Sequence, residues 1–322
     1  MFRMAAQFEE VGPGITAIDT QYMRPRMDAS HLLVDNGIAA FVDTGTTYSV
    51  PLLLETLRDK QIAADAVAYI FLTHVHLDHA GGAGALSNAL PQARVVVHPR
   101  GAPHIIDPTR LIAGSKAVYG EQNFQRLYGA IPPIPKERVV IAEDGDRYRV
   151  GSREFTVIHT PGHALHHYCL VDEKEALVFS GDNFGLSYRE FDTDKGAFIF
   201  PTTTPVHFDP EQLHASLDRI MSYRPGAVYL THYSRVGETA RLAADLRLGI
   251  DAFVAIAERR EQAKDRSASI ASDMYNWLSD RLDQHGYTGN ESERHRLLDG
   301  DIELNTQGLE VWLERRKKTS AR

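Results

Sequence analysis

Cysteine is nearly absent. The single Cys169 among 322 residues rules out an internal disulfide, and with it the stapled folds of small secreted domains. No apolar run approaches the roughly 20 residues of a transmembrane helix. The opening residues also lack the long apolar core of a signal peptide. A cytoplasmic protein with no membrane partner is therefore the expectation. Positive charge is scarce too: 35 Lys and Arg against 43 Asp and Glu leave a net charge of -8. A general nucleic-acid binder presents a basic face, so no nucleic-acid partner is expected. The one basic run, Arg315-Arg316-Lys317-Lys318, reads as a solvated helix end, where cations complement the helix dipole. Low-complexity segments are missing, and a composition of 43% hydrophobic and 24% charged residues is ordinary for a globular chain. The length suits one large domain with an appendage, or two modest domains.

What the chain does have is a concentration of imidazoles. Thr73-His74-Val75-His76-Leu77-Asp78-His79-Ala80-Gly81-Gly82 follows an apolar run, residues 66–72, that reads as a buried strand. Three histidines and an aspartate thus share one tight loop at a strand end. These are first-choice ligands for zinc and related divalent ions, and four in six residues can feed two neighbouring metals. Gly81 and Gly82 let the backbone turn closely into the next element.

His74-x-His76-x-Asp78-His79 resembles the signature of the metallo-β-lactamase superfamily, especially its glyoxalase II-like and lactonase-like hydrolases. The remaining segments of that pattern follow in order, each after a predicted strand. Thr160-Pro161-Gly162-His163 resembles the third metal-binding segment, with His163 as ligand. Its neighbours His159, His166 and His167 read as packing or supporting residues. Ser180-Gly181-Asp182 matches the bridging carboxylate, and Thr231-His232-Tyr233 supplies the last ligand. Consistent placement of all these segments outweighs any single motif. The resemblance implies an α+β fold, the αββα metallo-β-lactamase sandwich. It also implies that His74, His76 and His163 hold one divalent ion, that Asp78, His79 and His232 hold a second, and that Asp182 bridges them. Zinc is the first choice, with iron and manganese also compatible. Asp43, after the strand 38–42, is given by the resemblance a supporting role behind the ligands. On the residues alone it caps the next helix or shapes the turn equally well.

The expected chemistry is hydrolysis of a small-molecule ester-type substrate (thioester, lactone or phosphoester) by a hydroxide held between the two ions. Asp78 and Asp182 are the catalytic carboxylates. A mononuclear-iron persulfide dioxygenase and a ligand-binding or signalling protein with incidental hydrolysis are the alternatives. No glutathione-binding motif is visible. Lactonases of the superfamily carry a tyrosine three residues beyond the bridging Asp, where this chain has Gly185. The long segment 183–208 is rich in aromatics, which read either as a substrate wall or as a hydrophobic cluster. Phe184, Tyr188 and Tyr233 are the candidate substrate contacts. A helical insert is expected within residues 101–135, capping a pocket or covering sheet surface.

Beyond residue 236 the pattern turns helical. Leu242, Leu246, Ile250 and Phe253 recur at helical spacing, as do Ile270, Met274, Leu278 and Leu282. The division expected is a catalytic domain over residues 1–236 and a helical extension over 237–322, packed on the core or on a second subunit. A homodimer fits that reading.

Overall fold

The computed structural model describes residues 5–320. It is an α+β sandwich with a helical C-terminal region. One sheet runs in the order of its sequence: β1 (Phe8–Gly12), β2 (Ile15–Asp19), β3 (Ala29–Asp35), β4 (Ile38–Val42), β5 (Val67–Leu72), β6 (Arg94–Val97) and β7 (Val139–Ile141). Its first four strands pair antiparallel and its last four parallel. The second sheet contains β8 (Arg147–Val150), β9 (Arg153–His159), β10 (Tyr168–Asp172), β11 (Leu177–Gly181), β12 (Ala227–Leu230) and β13 (Ser234–Val236), in spatial order β13-β12-β11-β10-β9-β8. The helices are α1 (Val50–Asp59), α2 (Leu77–Ala80), α3 (Ala83–Ala89), α4 (Ala102–Ile106), α5 (Thr109–Tyr119), α6 (Glu121–Tyr128), α7 (Pro210–Ser222), α8 (Thr239–Arg260), α9 (Arg266–His285) and α10 (Glu291–Ser320). Among the described residues no helix is long and apolar enough to cross a membrane.

The chain forms two compact units. The first comprises residues 1–159, 166–181 and 223–236, and the second residues 160–165, 182–222 and 237–322. In the first unit, alternation along the strands sends one set of side chains between the sheets. Ile15, Leu33, Val42 and Phe71 meet Phe155, Tyr168, Leu170 and Phe179 there, all buried. The opposite face of the first sheet holds Leu32, Phe41, Ile70 and Val95 against Leu53 and Leu57 of α1, Leu86 of α3 and Ile105 of α4. Asn36-Gly37 makes a two-residue turn, since Asp35 pairs with Ile38 across it. Parallel β4, β5 and β6 all end at one edge, and this edge carries Asp43 and the histidine loop.

The helical insert covers sheet surface and packs on the histidine loop. Ile105 covers sheet surface, while Phe124, Leu127 and Tyr128 of α6 pack on Leu77 inside the histidine loop. In the second unit the apolar stripes are buried: Leu242, Leu246, Ile250 and Phe253 on α8, and Ile270, Met274, Leu278 and Leu282 on α9. Burying such a side chain contributes about 1.5–3 kcal/mol, so these stripes hold the helices together. The basic run lies in the last helix, where Arg316 meets Glu258 and Glu261 and Lys317 meets Glu261 and Glu314.

Three elements went unforeseen. β1 is an exposed edge strand with no apolar alternation to betray it. β13 has only three residues. Helix α7 did carry a signal: Asp209 accepts from the Gln212 N–H at 3.0 Å as a cap, Pro210 opens the helix, and Leu213, Leu217 and Ile220 line one face.

Candidate metal centre

Asp43 organises the site from behind. It sits in the left-handed region, φ +56, a conformation that Asp tolerates better than bulky residues. The turn aims its carboxylate at the ends of two other strands. Oδ1 accepts the Thr73 N–H at 2.8 Å, and Oδ2 accepts His79 Nδ1 at 2.8 Å and the Thr231 hydroxyl at 2.8 Å. The Thr73 hydroxyl also donates to Oδ2, at 2.8 Å, and lies 3.2 Å from His74 Nδ1. One buried carboxylate thereby orients two imidazoles and the segment that carries a third.

These bonds decide which ring nitrogen holds the hydrogen. A carboxylate only accepts, so Nδ1 of His79 donates and its Nε2 keeps a lone pair. The Thr73 hydroxyl spends its hydrogen on Asp43, so Nδ1 of His74 donates to it and Nε2 again keeps the lone pair. His232 Nδ1 lies 2.9 Å from the Met27 carbonyl, with the same consequence. The lone pairs then converge. His79 Nε2 is 3.8 Å and His232 Nε2 3.6 Å from Asp78 Oδ2, and one donor atom from each of Asp78, His79 and His232 lies within 4.8 Å of the others. With both rings neutral, two imidazole lone pairs turned on a carboxylate repel it unless a cation stands among them. This donor set therefore fits a divalent ion of the zinc type. His74 Nε2 faces His76 Nδ1 at 2.9 Å, a second pair of ring nitrogens brought together on the same loop.

In the second unit His163 Nε2 lies 3.3 Å from Asp182 Oδ2, and both residues are buried. The Asn183 amide donates to the Thr160 carbonyl and ties their two segments together. Gly162 is required here. Its φ of +135 is foreign to other residues, and a Cβ would stand 2.4 Å from the Leu213 backbone. Gly181, which precedes Asp182, is equally constrained: at φ +48, a Cβ would meet Thr73 Oγ1 and His167 Nε2 at 2.6 Å each.

The aromatic candidates are placed differently from one another. Phe184 and Tyr188 have no exposed surface, and the Tyr188 hydroxyl donates to Asp301 Oδ2 at 2.9 Å within the helical unit. Tyr233 stands beside His232 with the Arg26 guanidinium 5.2 Å from its ring centre, and burial pushes its hydroxyl up to about 12.

Sequence reasoning passed over Thr73, Thr231 and Asp28. The two threonines each precede a histidine candidate, and that repeated Thr-His pair was the available signal. Asp28 left none. It is fully buried, its Oδ2 accepts the Thr20 hydroxyl at 2.9 Å, and burial raises it to about 7 against the pull of His232 and His79.

The chain is similar to known proteins in sequence and in fold. The profile described as "Metallo-beta-lactamase superfamily" matches residues 23–232. The chain is 28% identical over 213 residues to the metallo-beta-lactamase fold-containing protein ST1585 of Sulfurisphaera tokodaii, covering 65% of this chain and 73% of that protein. It is 31% identical over 157 residues to the human acyl-coenzyme A thioesterase MBLAC2, covering 44% of this chain and only 52% of that one. Among solved structures, the metallo-beta-lactamase family protein TTHA1429 from Thermus thermophilus superposes with a TM-score of 0.66 at 19% identity, over 96% of this chain and 95% of that one. At that identity the likeness shows the fold.

Proposed function

The chain belongs to the metallo-beta-lactamase superfamily, whose members are mostly metal-dependent hydrolases, and on that premise we propose that it hydrolyses a small ester-type substrate with two bound divalent ions. The observation that carries the reading is the tautomer pattern around Asp78: His79 and His232 are both locked with Nε2 as acceptor and turned on one carboxylate. A carboxylate facing the acceptor nitrogens of two neutral rings is the arrangement a bound cation would complete.

Asp78, His79 and His232 hold one ion in this reading. His74, His76 and His163 would hold the other, with Asp182 as a carboxylate available to both. The chain's connectivity supports the longer set. Asp182 is bonded to Gly181, the last residue of β11, and His163 lies on a six-residue link between His159 and His166. Zinc suits the imidazole-rich donors best, with iron or manganese tolerated. When bound, such ions supply an activated water and a Lewis acid for the substrate oxygen. The chain's own residues hold that apparatus in place: Asp43 fixes His79 directly and His74 through Thr73, and Met27 fixes His232. Residues 1–236 form the catalytic domain of this proposal and residues 237–322 its helical extension.

Among thioesters, lactones and phosphoesters, the thioester comes first, because MBLAC2 is named an acyl-coenzyme A thioesterase. The test is a panel of these three classes offered to purified, metal-saturated protein. Turnover of a thioester, abolished by chelation and restored by zinc, supports the reading. Turnover of none of them, with the metal in place, removes it.

A further inference from the structure

The helical unit contains a cavity of about 320 Å³, lined by side chains from three segments and small among ligand pockets. Arg241 and Asp245 stand one turn apart on α8, and Trp277, Arg281 and His285 at successive turns of α9. Lys195, Phe198 and Ile199 come from the connection that precedes α7. That connection is fastened to the end of α9. Lys195 Nζ donates to the Gln284 carbonyl at 2.6 Å, the Thr193 hydroxyl to the His285 carbonyl at 2.8 Å, and His285 Nε2 to the Gly196 carbonyl at 3.0 Å. Trp277 is edge-on to Phe253, 5.7 Å between centroids, and packs where α8 has Gly249. A Cβ at Gly249 would come within 3.6 Å of the indole and 2.8 Å of Pro201. Phe198 and Ile199 are buried.

The charges around this cavity do not cancel. Asp245 spends both oxygens, Oδ1 on Arg281 Nη2 at 3.0 Å and Oδ2 on Arg241 Nη1 at 3.0 Å. Arg241 is occupied further by Glu238 and by the Ala197 carbonyl, each at 3.0 Å. Burial pulls His285 below the ordinary histidine value, so its ring is neutral at pH 7. Lys195, Arg241 and Arg281 against Asp245 and Glu238 leave a net positive charge, in a chain whose total is -8. Donors are left as well. Arg281 gives one N–H of Nη1 to Gln284 Oε1 at 3.1 Å and one of Nη2 to Asp245. Among the described residues its Nε–H and the second hydrogen of each terminal nitrogen are uncommitted. We infer that this cavity binds a small organic monocarboxylate, its carboxylate on Arg281 and Lys195 and its apolar body against Trp277, Phe198 and Ile199. The planar fork of a guanidinium matches the two oxygens of a carboxylate, and a single uncompensated charge matches a monoanion better than phosphate. The inference stands apart from the hydrolase reading, because the lining residues belong to neither candidate donor set.

The test uses the full chain carrying Trp312→Phe. The protein has two tryptophans, so the emission then reports Trp277 alone. Cyclohexanecarboxylate supplies charge and body together, cyclohexylmethanol the body alone, and inorganic phosphate the charge alone. Cyclohexanecarboxylate is expected to change the emission saturably, and the other two probes to bind about tenfold more weakly or less, the value of one hydrogen bond to a charged group. Arg281→Gln should weaken cyclohexanecarboxylate binding by about the same factor. Lys195→Met, at an exposed position, should weaken it in the same direction and decides the matter if Arg281→Gln does not fold. Adding a metal chelator should leave the affinity unchanged. Emission indifferent to cyclohexanecarboxylate, or equal affinity in the folded variants and the parent, would overturn the inference. So would phosphate binding as tightly as the carboxylate, which would make this a site for bare anions. Binding that disappears on chelation would overturn it too, by placing the carboxylate at the metal centre.

Discussion

Asp43→Asn isolates the carboxylate that orients the imidazoles while keeping its shape. In the wild type Oδ2 receives His79 Nδ1, the Thr231 hydroxyl and the Thr73 hydroxyl. An amide NH2 at that position confronts all three donors with a donor. The hydroxyls can rotate and accept instead. The His79 ring cannot, and must move its hydrogen from Nδ1 to Nε2, the atom turned toward Asp78. Losing a partner of this type costs about 10–100-fold in metal affinity, which is about 1.4–2.7 kcal/mol at 1.36 kcal/mol per tenfold. Asp35→Asn is the control, because Asp35 bonds the exposed Ser152 turn, with the Ser152 N–H 2.6 Å and its hydroxyl 2.7 Å away, and also meets Arg153. Zinc affinity is read by competition with a chromophoric chelator. The account expects the affinity loss in Asp43→Asn alone. If Asp43→Asn binds zinc as tightly as the wild type, or if Asp35→Asn weakens binding equally, the orienting role is wrong.

Other perturbations reach different parts of the molecule. Burial between the sheets lowers His31 from the usual 6.5 to about 4; the unfolded chain therefore takes up a proton at pH 4–6.5 that the folded one refuses. Stability is full above pH 6.5 and declines by about 3 kcal/mol on acidification to pH 4, so urea midpoints of His31→Gln should depend less steeply on pH in that window than those of the wild type. Tyr188→Phe removes the hydrogen bond to Asp301 and should cost about 1.5–3 kcal/mol in a urea titration, with metal content unchanged; loss of metal would place Tyr188 in the centre itself. Leu278→Ala opens the fully buried stripe of α9 and should cost about 2–5 kcal/mol; an unchanged melting temperature would mean that this helix does not carry stability. Chelation should lower Tm, since a ligand present at 100 times its Kd stabilises by about 2.7 kcal/mol, and a Tm indifferent to chelator would argue against bound ions.

Much of the fold was legible because the strands that build the sandwich are short, apolar and punctuated. β4 appears at the bounds expected, and β5 within a residue. The α8 and α9 stripes were equally plain, because helical periodicity survives over twenty residues. β1 was illegible because an exposed edge strand needs no apolar face. At the site, residue type pointed to the candidate donors, since three histidines and an aspartate in six positions suit a metal. What supports them is set by tertiary hydrogen bonds that no local pattern encodes. Nothing near Thr231 in the sequence says that its hydroxyl meets Asp43, 188 residues away. The residues alone offered Asp43 as a helix cap or a turn former, only the resemblance implied a support, and the bond to His79 shows it holding an imidazole.

The central claim is a two-ion centre divided between two donor sets. The direct measurement is the metal-to-protein ratio by elemental mass spectrometry, for the zinc-reconstituted wild type and for His76→Ala and His232→Ala, each dialysed against the same free-zinc buffer. The account predicts two zinc ions per chain in the wild type and about one in each variant, because each substitution removes a donor from a different set. A wild type that holds a single ion, or variants that both keep the full complement, would contradict it.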